Sequence, residues 1–157
     1  MGSFITDLKN SFNKGSIYIQ FIYVNAGVFI VTSLLGILWM LFNRDGASVL
    51  QYLELPAWTV RFVKQPWSLL TYMFMHAGIL HLLFNMLWLY WFGQMFLSLF
   101  SAKHFRGLYL LGGVCGGLLY MLAYNVFPYF SDSLYYSYLL GASASVLAIV
   151  VATAVRA

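Results

Sequence analysis

The chain is 157 residues long, 62% hydrophobic, 20% aromatic and only 8% charged, with a mean hydropathy of +0.82. A water-soluble domain keeps its surface wet with about a quarter of its residues charged, so this composition excludes one and points to an integral membrane protein solvated by lipid. The net charge of +4 comes from Lys and Arg scattered among apolar runs, without the stripe or motif of a nucleic-acid surface, and no nucleic-acid partner is expected.

Residues 1–16 are polar, carry Lys9 and Lys14, and read as an N-terminal segment on the cytoplasmic side. From Ile17 to Phe42 there is no charge, and at about 1.5 Å per residue the run can cross a hydrocarbon core of about 30 Å. It is too long for the apolar part of a signal peptide and no small-residue cleavage site follows, so it is expected to be a retained first span. Residues 43–77 interleave Arg44, Asp45, Glu54, Arg61 and Lys64 with Leu, Trp, Val and Phe, a mixture suited to a long loop at the membrane surface. A second span is predicted over 78–100, closed by Lys103, His104 and Arg106. The third, over 107–126, holds Gly112 with Gly116 and Gly113 with Gly117, spacings that let a neighbouring helix approach the backbone. A turn around Pro128 and Asp132 leads to a last span over 139–155, ended by Arg156. The expected fold is therefore all-α, a polytopic membrane helix bundle with four spans. Lys9, Lys14, Lys103, Arg106 and Arg156 fall on one side of it, and Arg44, Arg61 and Lys64 on the other, which predicts a cytoplasmic N-terminus. The single cysteine, Cys115, rules out an intramolecular disulfide and reads as packing.

Two polar clusters stand out against this background. The first is HAGILHLLFN, His76 to Asn85, within a segment free of Asp, Glu, Lys and Arg from Gln65 to Ala102. On a helix His81 and Asn85, four apart, share one face, whereas His76 points elsewhere and Gly78 gives the backbone a place to depart. Such a pair serves either as interhelical hydrogen-bond glue, at about 0.6 kcal/mol per bond, or as a functional polar site. A zinc-protease helix needs two His four apart with a Glu beside the first. Here the spacing is five, and no carboxylate lies between Glu54 and Asp132, so neither a metal nor another cofactor is expected. His104, between Lys103 and Arg106, reads as an interfacial residue.

The second cluster is the small-residue run Gly141, Ala142, Ser143, Ala144 and Ser145, where another helix or a substrate backbone can come close. Ser143 precedes Arg156 by about 20 Å of helix, so if Arg156 marks the cytoplasmic boundary its hydroxyl lies about 10 Å below the external one. It is a candidate buried nucleophile; the other reading is an ordinary packing surface.

Together these pieces resemble the rhomboid family of intramembrane serine proteases. HAGILHLLFN fits the family pattern HxxxxHxxxN and GASA fits GxSx, in order on the second and fourth spans, after a long first loop that carries Pro66 and Trp67. LFNMLWLYWFG is also similar to the family's second helix, and the resemblance runs from the first span to the fourth. It implies a rhomboid-like bundle with four helices of a six-helix core, Ser143 as nucleophile, and an oxyanion hole made by His81, Asn85 and the Ser143 backbone N–H. His76 and Gly141 are then structural supports of the site. The implied activity is endopeptidase cleavage of transmembrane protein substrates near the external membrane face, in the bacterial inner membrane, with lipid as the other partner.

Three departures follow from the same comparison. The family's general base is a histidine on a later helix, and no histidine follows His104. A serine with no base to take its proton is a poor nucleophile, so the chain as it stands is expected to be inactive, and a fragment lacking the last two helices. The alternative is a rhomboid-like pseudoprotease that binds membrane clients without cutting them. Ser68 replaces the Arg that many members have after the loop Trp, and Leu147 replaces a Tyr that packs on the catalytic histidine. A channel or transporter is the weaker reading, since the spans lack acidic residues and repeat symmetry.

Overall fold

A computed structural model describes residues 2–42 and 50–156, and Arg44, Asp45 and the rest of 43–49 lie outside the described residues. Seven α-helices can be numbered among them: α1 Gly2–Lys14, α2 Ile17–Leu41, α3 Thr59–Lys64, α4 Ser68–Thr71, α5 Ile79–Leu99, α6 Ala102–Val126 and α7 Ser143–Arg156. In lipid every backbone N–H and C=O must be satisfied within the segment, and a long uncharged run does this only as a helix. Three helices, α2, α5 and α6, are long and apolar enough to cross a membrane, while α7, although apolar, has only 14 residues. The protein is an integral membrane helix bundle.

The long helices alternate in direction. Phe100 and Ser101 turn α5 into α6, so Phe96 stacks edge-on against Phe105 across the turn at 5.7 Å. Lys103, His104 and Arg106 thus lie in the first turns of α6, a helix that begins before the span expected from residue 107. The start of α2 joins this end of the bundle: Tyr18 packs on Gly93, where an added Cβ would meet its Cβ at 2.6 Å. α2 contributes only a narrow stripe to the interior. Its buried residues are Ile17, Asn25 and Thr32, and the Asn25 amide donates to the Tyr109 hydroxyl at 3.2 Å.

α7 is the centre of the bundle. It packs against both α5 and α6 and buries Ser145, Val146, Ile149 and Thr153. Against α6 the approach is set by glycine. A Cβ at Gly112 would stand 2.5 Å from that of Ala148, and one at Gly116 would stand 2.5 Å from that of Ala144. The paired small residues therefore bring the two backbones together as their spacing predicts.

The last helix begins at Ser143, later than the span expected from residue 139, because Tyr138 and Leu139 are extended. They form a short antiparallel pair with Leu55 and Pro56, Leu55 opposite Leu139 and Pro56 opposite Tyr138. The described part of the long loop is held to itself by side chains reaching backbone. The buried Gln65 donates to the carbonyls of Gln51 and Glu54, Trp67 Nε1 to that of Tyr52 at 2.8 Å, and Thr71 to that of Leu53 at 2.7 Å.

Candidate active site

Ser143 is the first residue of α7, and how the chain arrives there defines its surroundings. After the strand pair, the Gly141 N–H donates to the Tyr72 carbonyl at 2.9 Å, which fixes the backbone two residues ahead of the serine. Gly141 has φ of 126°, in the left-handed range that disfavours a side chain. A side chain would also push the His81 ring aside. A Cβ there would come within 2.7 Å of His81 Cε1 and 2.9 Å of Nε2, and 3.8 Å from Ser143 Oγ. The imidazole of His81 and the hydroxyl of Ser143 therefore flank the same bare glycine.

Asn85 lies one turn further along α5. It is buried, and its amide donates one N–H to the His81 carbonyl at 2.8 Å, which leaves the second N–H for another acceptor. Asn85 and Ser143 line one pocket of about 250 Å³ with Phe84, Trp88, Val146 and Leu147. The pocket is apolar apart from those two side chains, a low-dielectric setting in which a fixed donor acts strongly on developing charge. α7 adds donors of its own. Its first intrahelical bond is from Val146 N–H to the Ala142 carbonyl, so the amides of Ser143, Ala144 and Ser145 precede the ladder, at the positive end of the helix dipole.

The two serines of the small-residue run are in different environments. Ser143 is exposed to the pocket, whereas Ser145 is fully buried with its Oγ 3.9 Å from the Met73 sulfur. Only the first is accessible to a substrate. His76 stands behind His81, the two rings edge to face with centroids 5.2 Å apart. It is buried, and neither ring nitrogen has a hydrogen-bond partner. Burial, and then the neighbouring His81, lower its pKa from 6.5 to about 4; the nearby Phe74 backbone, outside hydrogen-bond geometry, works the other way. His104 is at the other end of the bundle, its Nδ1 2.9 Å from Ser101 Oγ. Among the described residues no cluster of three or more His, Cys, Asp or Glu could hold a metal.

Tyr72 is a further residue that positions the serine. Its hydroxyl donates to the Gly113 carbonyl while its backbone carbonyl accepts from Gly141 N–H, so one buried residue ties α6 to the approach to Ser143. Nothing local in the sequence marks it, because both partners are distant along the chain. Asn125 has a comparable role, donating to the Ala57 carbonyl at 2.8 Å beside the strand pair.

Comparisons with known proteins bear on the same segment. The sequence profile described as Rhomboid domain matches residues 63–157. The chain is also similar to RHOMBOID-like protein 7 of Arabidopsis thaliana, 35% identical over 74 residues, which is 46% of this chain and 24% of that protein. It thus aligns with about a quarter of that relative's length. No solved structure matches. The profile covers more than half of the chain and includes α5, α6 and α7 with both polar clusters, and on that match this membrane protein belongs to the rhomboid family.

Proposed function

We propose that the protein is an intramembrane serine endopeptidase of the rhomboid type, with Ser143 as its nucleophile. One observation carries this reading: Ser143 and Asn85 line a single pocket at the unpaired amide end of α7, with His81 held against the glycine two residues before the serine. The Ser143 hydroxyl attacks a peptide carbonyl, its proton passes through the general base that the family carries on a later helix to the departing amine as the C–N bond breaks, and an acyl-enzyme remains. The oxygen that becomes negative is met by the Ser143 N–H, the free N–H of Asn85 and the His81 ring, donors already in place before charge develops. Water then hydrolyses the ester. Substrates are transmembrane proteins whose segments unwind near the external face, where Gly, Ala or Ser make extended backbone accessible at least cost.

A second reading, a pseudoprotease that binds membrane clients in the same pocket, is favoured by a different observation. Among the described residues no histidine hydrogen-bonds the Ser143 hydroxyl. A serine-directed fluorophosphonate probe applied to the protein in its own membrane separates the two. Labelling that disappears in Ser143→Ala and falls by about two to three orders of magnitude in Asn85→Ala is expected for the protease, since one lost oxyanion donor has about that effect. Labelling that persists in Ser143→Ala removes the nucleophile assignment. A wild-type protein that takes no label yet retains a transmembrane peptide supports the pseudoprotease.

A further inference from the structure

At the opposite end of the bundle from Ser143, a groove of about 490 Å³ runs between α5, α6 and α7. Its walls are Phe96 and Phe100 from α5, Gly107, Leu108 and Leu111 from α6, and Ala152 from α7. All are apolar. Lys103 and His104 line the end nearest the first turn of α6. Arg156, the last residue of α7, brings its guanidinium to 5.9 Å from the Phe100 ring, so a second full cation reaches the same rim, and Arg106 is exposed on the same turns of α6. Among the described residues no ion pair neutralises Lys103, Arg106 or Arg156. The backbone adds to this charge. Ser101 precedes α6, but its Oγ is engaged with His104 Nδ1 at 2.9 Å, and it makes no side-chain cap. The first bond of the helix is Phe105 N–H to the Ser101 carbonyl, which leaves the amides of the opening turn available to an anion.

The groove is thus apolar along its length and cationic at one end only, on a protein whose surroundings are lipid. A phospholipid has the complementary distribution, an acyl chain attached to a phosphate. An apolar helix from another protein matches the walls but offers no negative charge to the cations at the rim. We propose that this groove binds one anionic phospholipid from the leaflet at the Lys103 end. Its phosphate is held by Lys103, Arg156 and the open amides of α6, and one acyl chain lies along Phe96, Leu108 and Leu111. The site is separate from the Ser143 pocket and does not depend on what that pocket does.

The test is lipid retention, measured by native mass spectrometry on protein released from nanodiscs containing phosphatidylcholine and phosphatidylglycerol in equal amounts. Each cation near an anionic headgroup contributes about fivefold in affinity, so two predict a preference for phosphatidylglycerol of about twenty-five-fold. Lys103→Gln combined with Arg156→Gln should reduce that preference to near parity. Gly107→Leu tests the slot independently: nothing lies within 4 Å of a Cβ at Gly107, so the new side chain enters the groove without disturbing the fold. It should displace both lipids while the cations remain. Equal retention of the two lipids by the wild type, or full retention of phosphatidylglycerol by Gly107→Leu, overturns the proposal. So does a Gly107→Cys, Cys115→Ser variant that cross-links to a second copy of the chain through this groove.

Discussion

At the scale of single residues, His76 carries a cost that the fold has accepted. Its ring is buried with both nitrogens unpartnered, against a second imidazole 5.2 Å away, and a proton added there must be desolvated beside another potential cation. The folded protein therefore holds His76 neutral down to about pH 4, whereas the unfolded chain takes up the proton near 6.5. Between those values the unfolded state binds more protons, so stability rises with pH; the contribution is complete above 6.5 and is lost as pH falls toward 4. Glu54, which shares a cavity with His76, acts in the opposite sense, because burial raises the pKa of its carboxyl and acid favours its folded form. Unfolding measured in detergent across this pH range should accordingly flatten in His76→Phe and steepen in Glu54→Gln. An acid dependence that survives His76→Phe unchanged places the responsible proton on another group. Gly141 is the other residue whose chemistry is local, since its φ disfavours a side chain and any side chain there would displace the His81 ring.

Among the elements, the pairing of α6 with α7 determines whether Ser143 is held in place, because α7 has 14 residues and is anchored along its length by small side chains. A methyl added at Gly116 meets Ala144 Cβ at 2.5 Å, and Ala144 directly follows the serine. Overpacking of this kind costs about 1–3 kcal/mol. Gly116→Ala is expected to destabilise the protein by about that much, and Ala144→Gly in the same chain to recover most of the loss, a coupling that a double-mutant cycle in detergent unfolding reads directly. Effects that merely add, within about 0.5 kcal/mol, mean the two backbones are not in close contact. The glycine spacing that produces this contact was legible in the sequence, as were the long helices, because lipid leaves an uncharged run no alternative to helix. The i, i+4 spacing of His81 and Asn85 likewise puts both on one face of α5 from the sequence alone. What could not be read were features that depend on distant partners. The strand pair that delays the start of α7 joins Leu55 to Leu139, and the loop takes its shape from Gln65, Trp67 and Thr71 reaching carbonyls more than ten residues away. The glycine between His81 and Ser143 is similar: sequence shows a small residue, and only the fold shows what it must leave room for.

The whole molecule has a polarity that the element order imposes. Because α2, α5 and α6 alternate in direction and α7 runs with α5, the start of α2, the turn at Phe100 and Ser101 and the end of α7 share one end of the bundle, linked by Tyr18 on Gly93 and Arg156 over Phe100. That end gathers Lys9 and Lys14 on the approach to α2 with Lys103, Arg106 and Arg156, whereas the described residues of the loop at the other end hold Arg61 and Lys64. Because an excess of Lys and Arg close to helix ends biases that side toward the cytoplasm, we expect this end of the bundle to be cytoplasmic. On that orientation Ser143 is expected in the external half of the bilayer, since α7 rises only about 20 Å from Arg156, short of a core of about 30 Å. Reporter fusions in a bacterial host test the orientation. Green fluorescent protein joined after Arg156 should fluoresce, and alkaline phosphatase inserted in the turn at Asp132 should be active, because the first folds in the cytoplasm and the second only outside it. Replacing Lys103 and Arg106 with Gln should weaken that bias and yield a mixed population, as the charge nearest the α5–α6 turn is lost. The opposite pattern in the unmodified protein, a dark fusion at Arg156 with an inactive phosphatase at Asp132, inverts the molecule and moves the Ser143 pocket to the cytoplasmic half of the membrane.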